Sequence, residues 1–120
     1  MTATSLDKRQ TTHIRMTVEW FVPLGQARSL TMALHGLMTD IRAVHGCLGC
    51  YVSTGMFDQG TVSYIEEWRT EEDLRRRLQS DMFSVLAALI EGSIEHPKIE
   101  FLLPGGTRGL DFVEEVRGLR

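Results

Sequence analysis

Hydrophobic positions change period along the chain. Ile14, Met16, Val18 and Trp20 alternate with Arg15, Thr17, Glu19 and Phe21, which predicts a strand that Pro23 and Gly25 end. Leu30, Ala33, Leu34, Leu37, Met38, Ile41 and Val44 then recur every three or four residues, predicting a helix over 30–44 with Arg28, Met32 and His35 off the stripe. Gly36 interrupts it at about 1 kcal/mol relative to alanine. That glycine reads either as a close approach or as a tolerated surface position. His45-Gly46 supplies a left-handed stop. Two alternating segments follow, 47–57 and 61–68, around the hairpin loop Asp58-Gln59-Gly60. In the first, Leu48, Cys50, Val52, Thr54 and Met56 are expected on one face, with Gly49, Tyr51, Ser53 and Phe57 on the other. In the second, Val62, Tyr64, Glu66 and Trp68 share a face.

A broken helix over 74–90 comes next. Thr70 and Asp73 have capping-box spacing, with acids in the first turn and Arg75 to Arg77 in the last. Ser80 or Asp81 is placed to cap a second piece, with Leu74, Leu78, Met82, Val85 and Leu89 on nearly one stripe. Gly92 and Pro97 end it, and Ile99, Phe101 and Leu103 form a last strand. Pro104-Gly105-Gly106 closes the core. The organisation read from this is a disordered tail at 1–12, one domain at 13–104, and an extension at 105–120. Leu110, Val113 and Val116 stand at helical spacing in that extension, which also alternates tolerably as a strand; a short amphipathic helix packing on the domain or on a partner is favoured.

The order β-α-β-β-α-β is the split βαβ, or ferredoxin-like, plan: an α+β fold whose antiparallel sheet carries its helices on one face. Apolar residues on both faces of the strands imply that the second face is covered by another copy, a homodimer.

A net charge of −3 argues against nucleic acid or an anionic membrane as partner. Arg75, Arg76 and Arg77 point in three directions on a helix and form no patch. No apolar run approaches the roughly 20 residues that span a bilayer, and residues 1–12 lack the apolar stretch of a signal peptide. A cytoplasmic protein is expected. Cys47 and Cys50 form a CxxC at a strand start, where residues three apart point to opposite faces. No second pair of ligands is in view, so two reduced structural cysteines, with no metal and no disulfide, are expected.

Several segments resemble the antibiotic biosynthesis monooxygenase family of the dimeric α+β barrel superfamily. They are His45-Gly46-Cys47-Leu48-Gly49-Cys50-Tyr51, the run Tyr64-Ile65-Glu66-Glu67-Trp68-Arg69-Thr70-Glu71-Glu72-Asp73-Leu74, and Ser80-Asp81-Met82-Phe83. The resemblance implies a dimeric α+β barrel and, among the family's reactions, oxidation of quinols or polyketides without a cofactor. The positions of the heme-degrading branch's Asn–Trp–His site fall near Val18, Arg76 and Leu86, so heme cleavage is not implied. The histidine that several quinol-oxidising members carry has no counterpart between Arg75 and Phe83.

A cofactor-free oxygenase requires an electron-rich aromatic substrate, a dry apolar pocket and a proton acceptor. Val18, Trp20, Tyr64 and Trp68 are candidate walls, with Met16, Met38, Met56 and Met82 as fillers. Trp68 also fits a purely structural role, whereas a buried Tyr64 phenol needs a partner. Glu66 is the first candidate base and His35 the second. Alternatively, Glu66 is paired by Arg15 or Arg69 and is structural. His13 and His96 lie near element ends without evident partners. Two functions follow: a cofactor-independent monooxygenase of a small aromatic or quinol-type substrate, or a non-catalytic barrel that binds an apolar ligand or regulates a partner.

Overall fold

The structure, a computed structural model, describes residues 14–55 and 60–118. The expected tail at 1–12, His13, and the hairpin residues 56–59 lie outside the described residues. Five strands form one antiparallel sheet in the order β2-β3-β1-β4-β5: β1 Ile14–Phe21, β2 Cys47–Thr54, β3 Thr61–Trp68, β4 Lys98–Leu103 and β5 Gly106–Arg108. Four helices are described: α1 Leu24–Arg42, α2 Glu71–Gln79, α3 Phe83–Glu91 and α4 Leu110–Arg117. This is the ferredoxin-like α+β arrangement, extended by β5 and α4.

The inward face of the sheet is built by strict alternation. Ile14, Met16, Val18 and Trp20 on β1, Val62, Tyr64, Glu66 and Trp68 on β3, and Phe101 and Leu103 on β4 are buried. Registry aligns Phe101, Met16, Glu66 and Cys50 in one row across four strands, with Ile99, Val18, Tyr64 and Val52 in the next.

Helix α1 starts earlier and stops earlier than its apolar stripe. Pro23 is its N-cap, and its carbonyl accepts from the amides of Gln26 and Ala27. Gly25 therefore sits in a first turn rather than ending a strand. After Arg42 the chain descends through tight turns to Gly46, whose φ of +90° suits glycine. A Cβ there would also meet the Asp73 side chain at 2.4 Å. Gly36 faces open space on the exposed side of α1, so it is a tolerated surface position.

Two face assignments are corrected. A bulge between Cys47 and Gly49 shifts the register of β2. Cys47 opposes Trp68 and Cys50 opposes Glu66, so both thiols fall on the inward phase, while Leu48 is 56% exposed. The two helical pieces do not share one stripe either. Ser80 takes extended dihedrals and its hydroxyl donates to the Arg77 carbonyl, closing α2, and Met82 caps α3 without a side-chain bond. The lost rotation buries Phe83, Leu86 and Ile90 and leaves Met82 and Val85 exposed.

The outer sheet face carries apolar residues, as expected, but among polar and charged ones. Phe21, Tyr51, Ile65 and Leu102 share it with Thr17, Glu19, Ser53, Ser63, Lys98 and Glu100, and with the Arg15–Glu67 ion pair at 3.1 Å.

Candidate functional site

The inward row of β3 carries a carboxylate at its centre. Glu66 has no exposed surface, nor does Tyr64, and Trp68 is 1% exposed. Tyr64 donates to Glu66 Oε2 at 2.5 Å and Trp68 Nε1 donates to Oε1 at 3.0 Å. Arg77, brought in by α2 beside the buried Leu74 and Leu78, donates through Nη2 to Oε2 at 2.8 Å, with Nε shared between both oxygens. A carboxylate taken this far from water persists only when its oxygens are paired in this way, although Arg77 Nη1 is buried without a hydrogen-bond partner. The Arg77 guanidinium lies 5.5 Å over the ring of Phe83. Burial and the Glu66 carboxylate push the Tyr64 phenol far above its usual value. The Cys50 thiol donates to the Tyr64 oxygen at 3.3 Å, and burial pushes that thiol up to about 11. Burial raises Cys47 as well, so both free cysteines are poor nucleophiles.

The residues singled out from the sequence separate into two places. Val18, Trp20, Tyr64, Glu66 and Trp68 come together in the core layer against the sheet, and Arg77, not Arg15 or Arg69, pairs with Glu66. His35 is exposed on α1. None of these six lines the cleft that the fold forms on the helix side of the sheet.

That cleft, about 540 Å³, opens between the sheet and the helices α3 and α4. Met16, Ile99 and Phe101 form its floor, and Phe83, Ile90 and Val113 its inner walls. Ser84, Glu91, His96, Glu114 and Arg117 supply the polar groups, with Ser84, Glu91 and His96 exposed at the mouth. A largely apolar lining with a few polar groups suits a small-molecule site, and the volume is within the roughly 300–1,000 Å³ of ligand pockets. Met16 lies opposite Glu66 in registry, so the buried ion pair stands beside the cleft floor on the same face of the sheet. His96 was not marked out by periodicity because it sits in the α3–β4 connection. The available signal was its position just before Pro97, at the end of a strand whose inward residues line the floor. Among the described residues no group of three His, Cys, Asp or Glu side chains could hold a metal ion.

Residues 13–89, more than half of the chain, match the family model described as antibiotic biosynthesis monooxygenase. The chain belongs to the antibiotic biosynthesis monooxygenase family. No curated protein sequence matches it significantly. Among solved structures it is similar to a conserved protein from Methanosarcina mazei, at 17% identity and a TM-score of 0.70, over 81% of this chain and 97% of that one. It is similar to a Pseudomonas aeruginosa protein at 25% identity and a TM-score of 0.64, over 77% and 93% of the two chains. A structure described as an antibiotic biosynthesis monooxygenase matches at 18% identity and a TM-score of 0.62, over 73% and 94%. These likenesses show the shared fold; membership of the family supports a general monooxygenase-type role. No helix of the described residues is long and apolar enough to cross a membrane.

Proposed function

We propose that this family member is a cofactor-independent monooxygenase that oxidises a small phenol or quinol in the cleft floored by Met16 and Phe101, and that it works as a homodimer. The cleft is the observation that carries this reading. Its aromatic and thioether walls suit a flat ring, and its mouth offers proton-accepting groups where a ring hydroxyl would emerge. The chemistry asks little else of a protein. Loss of the hydroxyl proton makes the ring an electron donor to O₂. One oxygen atom then bonds to the ring and the other leaves as water, all four electrons coming from a substrate such as a phenol that becomes a quinone.

His96 is the best-placed acceptor, since an imidazole both takes and returns a proton, and Glu91 is its nearest alternative in sequence. Glu66 is the weaker choice, because its oxygens are already occupied by Tyr64, Trp68 and Arg77. His35 is weaker again, being exposed on α1 away from the cleft lining.

Oxygen uptake with a panel of phenols and hydroquinones tests this, with peroxide measured in parallel and metals and flavin excluded. The expected result is consumption of O₂ without peroxide. His96→Ala should lower the rate roughly 100-fold or more, in line with positioned proton transfer. The apolar depth of the cleft equally favours a non-catalytic ligand-binding protein. Ligand binding with no oxygen consumed across the panel would establish that second function instead.

A further inference from the structure

Beyond Pro104 the chain doubles back. β5 pairs with β4, setting Arg108 against Phe101, and delivers α4 to the side of the cleft. This segment lies outside the residues that match the family. Its two sides do different work.

One side is an anchor. Phe112 is fully buried against Phe101, with ring centroids 5.0 Å apart, and the guanidinium groups of Arg75 and Arg108 lie 5.0 and 5.2 Å from its ring. Gln79 donates to the Val116 carbonyl at 3.2 Å, and Arg117 donates to the Leu78 carbonyl at 2.6 Å. The other side, Leu110 and Val113, lines the cleft.

We infer that Val113, assisted by Leu110, sets the size of ring system the cleft admits, so that α4 is the specificity wall of this particular chain. The inference rests on the cleft being the substrate site. A wall discriminates by size only if it cannot retreat. The Phe112 anchor and the two bonds to α2 fix the helix, and a β-branched side chain on a helix has essentially one χ1 rotamer. Val113 is also 7% exposed, so its methyl groups are a packed boundary rather than a loose fringe.

The test compares binding of phenol and 1-naphthol, one ring against two, by calorimetry on the full chain. Removing the two methyl groups in Val113→Ala should shift the affinity ratio toward 1-naphthol by roughly tenfold or more, the usual consequence of a methylene-scale change in an apolar pocket. Val113→Phe should shift it the other way. Leu110→Ala, at a 40% exposed position, gives a second reading should a Val113 variant fold poorly. Val85→Ala, on the exposed side of α3, should leave the ratio unchanged. If the unaltered protein binds both ligands and no α4 variant moves the ratio, the size assignment is overturned and the cleft reading stands. If the unaltered protein binds neither, the cleft reading fails and takes this inference with it.

Discussion

Glu66 stands out in the sequence because a carboxylate interrupts the inward row of a strand. Its partner is harder to see. Arg77 lies in a run of three arginines that looks like solvated charge, yet it falls three residues after Leu74 and next to Leu78, on the buried stripe. The structure sends the three apart: Arg75 to Glu71 and the Phe112 ring, Arg76 to Asp73, and Arg77 into the core. Spacing thus shows that the arginines diverge, but the choice of acid needs the packing of α2 on the sheet. With side-chain exposures of 1% and 0%, Arg77 and Glu66 are interdependent. Either Arg77→Met or Glu66→Gln alone leaves a partner buried without its counterpart and should cost about 3–5 kcal/mol. The double variant should lose less than the sum of the singles by at least about 1 kcal/mol. Urea unfolding of the four proteins measures both quantities. Strict additivity would mean that the pair does not act as a unit.

At the level of elements, periodicity located each helix and strand of the core, but local chemistry moved several boundaries and faces. The bulge after Cys47 brings Gly49 under the Tyr51 hydroxyl, which a Cβ there would meet at 2.3 Å, and no alternation pattern encodes it. The α2–α3 break was legible at Ser80-Asp81. The rotation across it was not, because one residue with extended dihedrals resets the helical phase.

The N-terminus of α2 was read more closely. The Thr70 hydroxyl accepts from the Asp73 amide at 3.0 Å, as the spacing implies. Burial alone would raise the Asp73 carboxyl, but bonds from the Thr70 hydroxyl and Arg76 outweigh it, with His45 adding a smaller pull, and hold it below the usual carboxylate value. A carboxyl depressed in the folded state contributes stability above its unfolded value and loses it as pH falls through the folded one. The protein should therefore lose stability on acidification through the carboxylate range. Asp73→Asn should be less stable at neutral pH and show a smaller acid loss. Urea midpoints of both proteins at neutral and acid pH measure this, and parallel acid losses would remove Asp73 from the account.

For the whole molecule, the outer sheet face is the surface through which the proposed homodimer would form. Its expected apolar residues stand among polar and charged ones, and that mixture bears on how a second copy would bind. Tyr51, Ile65 and Thr17 lie side by side across β2, β3 and β1, with Phe21 and Leu102 toward the edges at 45% and 38% exposure. The polar remainder contains both signs: Arg15 and Glu67 already pair, and Lys98 stands opposite Glu19. A two-fold contact brings one surface against itself, so a face carrying both signs around a central apolar strip is self-complementary, whereas a face of one sign would repel its copy. The expected state is therefore a homodimer through this face, with the clefts on the opposite, helix-covered side left open. Light scattering at micromolar concentration should give twice the mass of one chain. Ile65→Lys puts a charge at the centre of the strip without touching the inward row and should yield a folded monomer. A dimer that survives Ile65→Lys would move the interface to another surface, and an unaltered protein that runs as a monomer would leave the outer face to solvent.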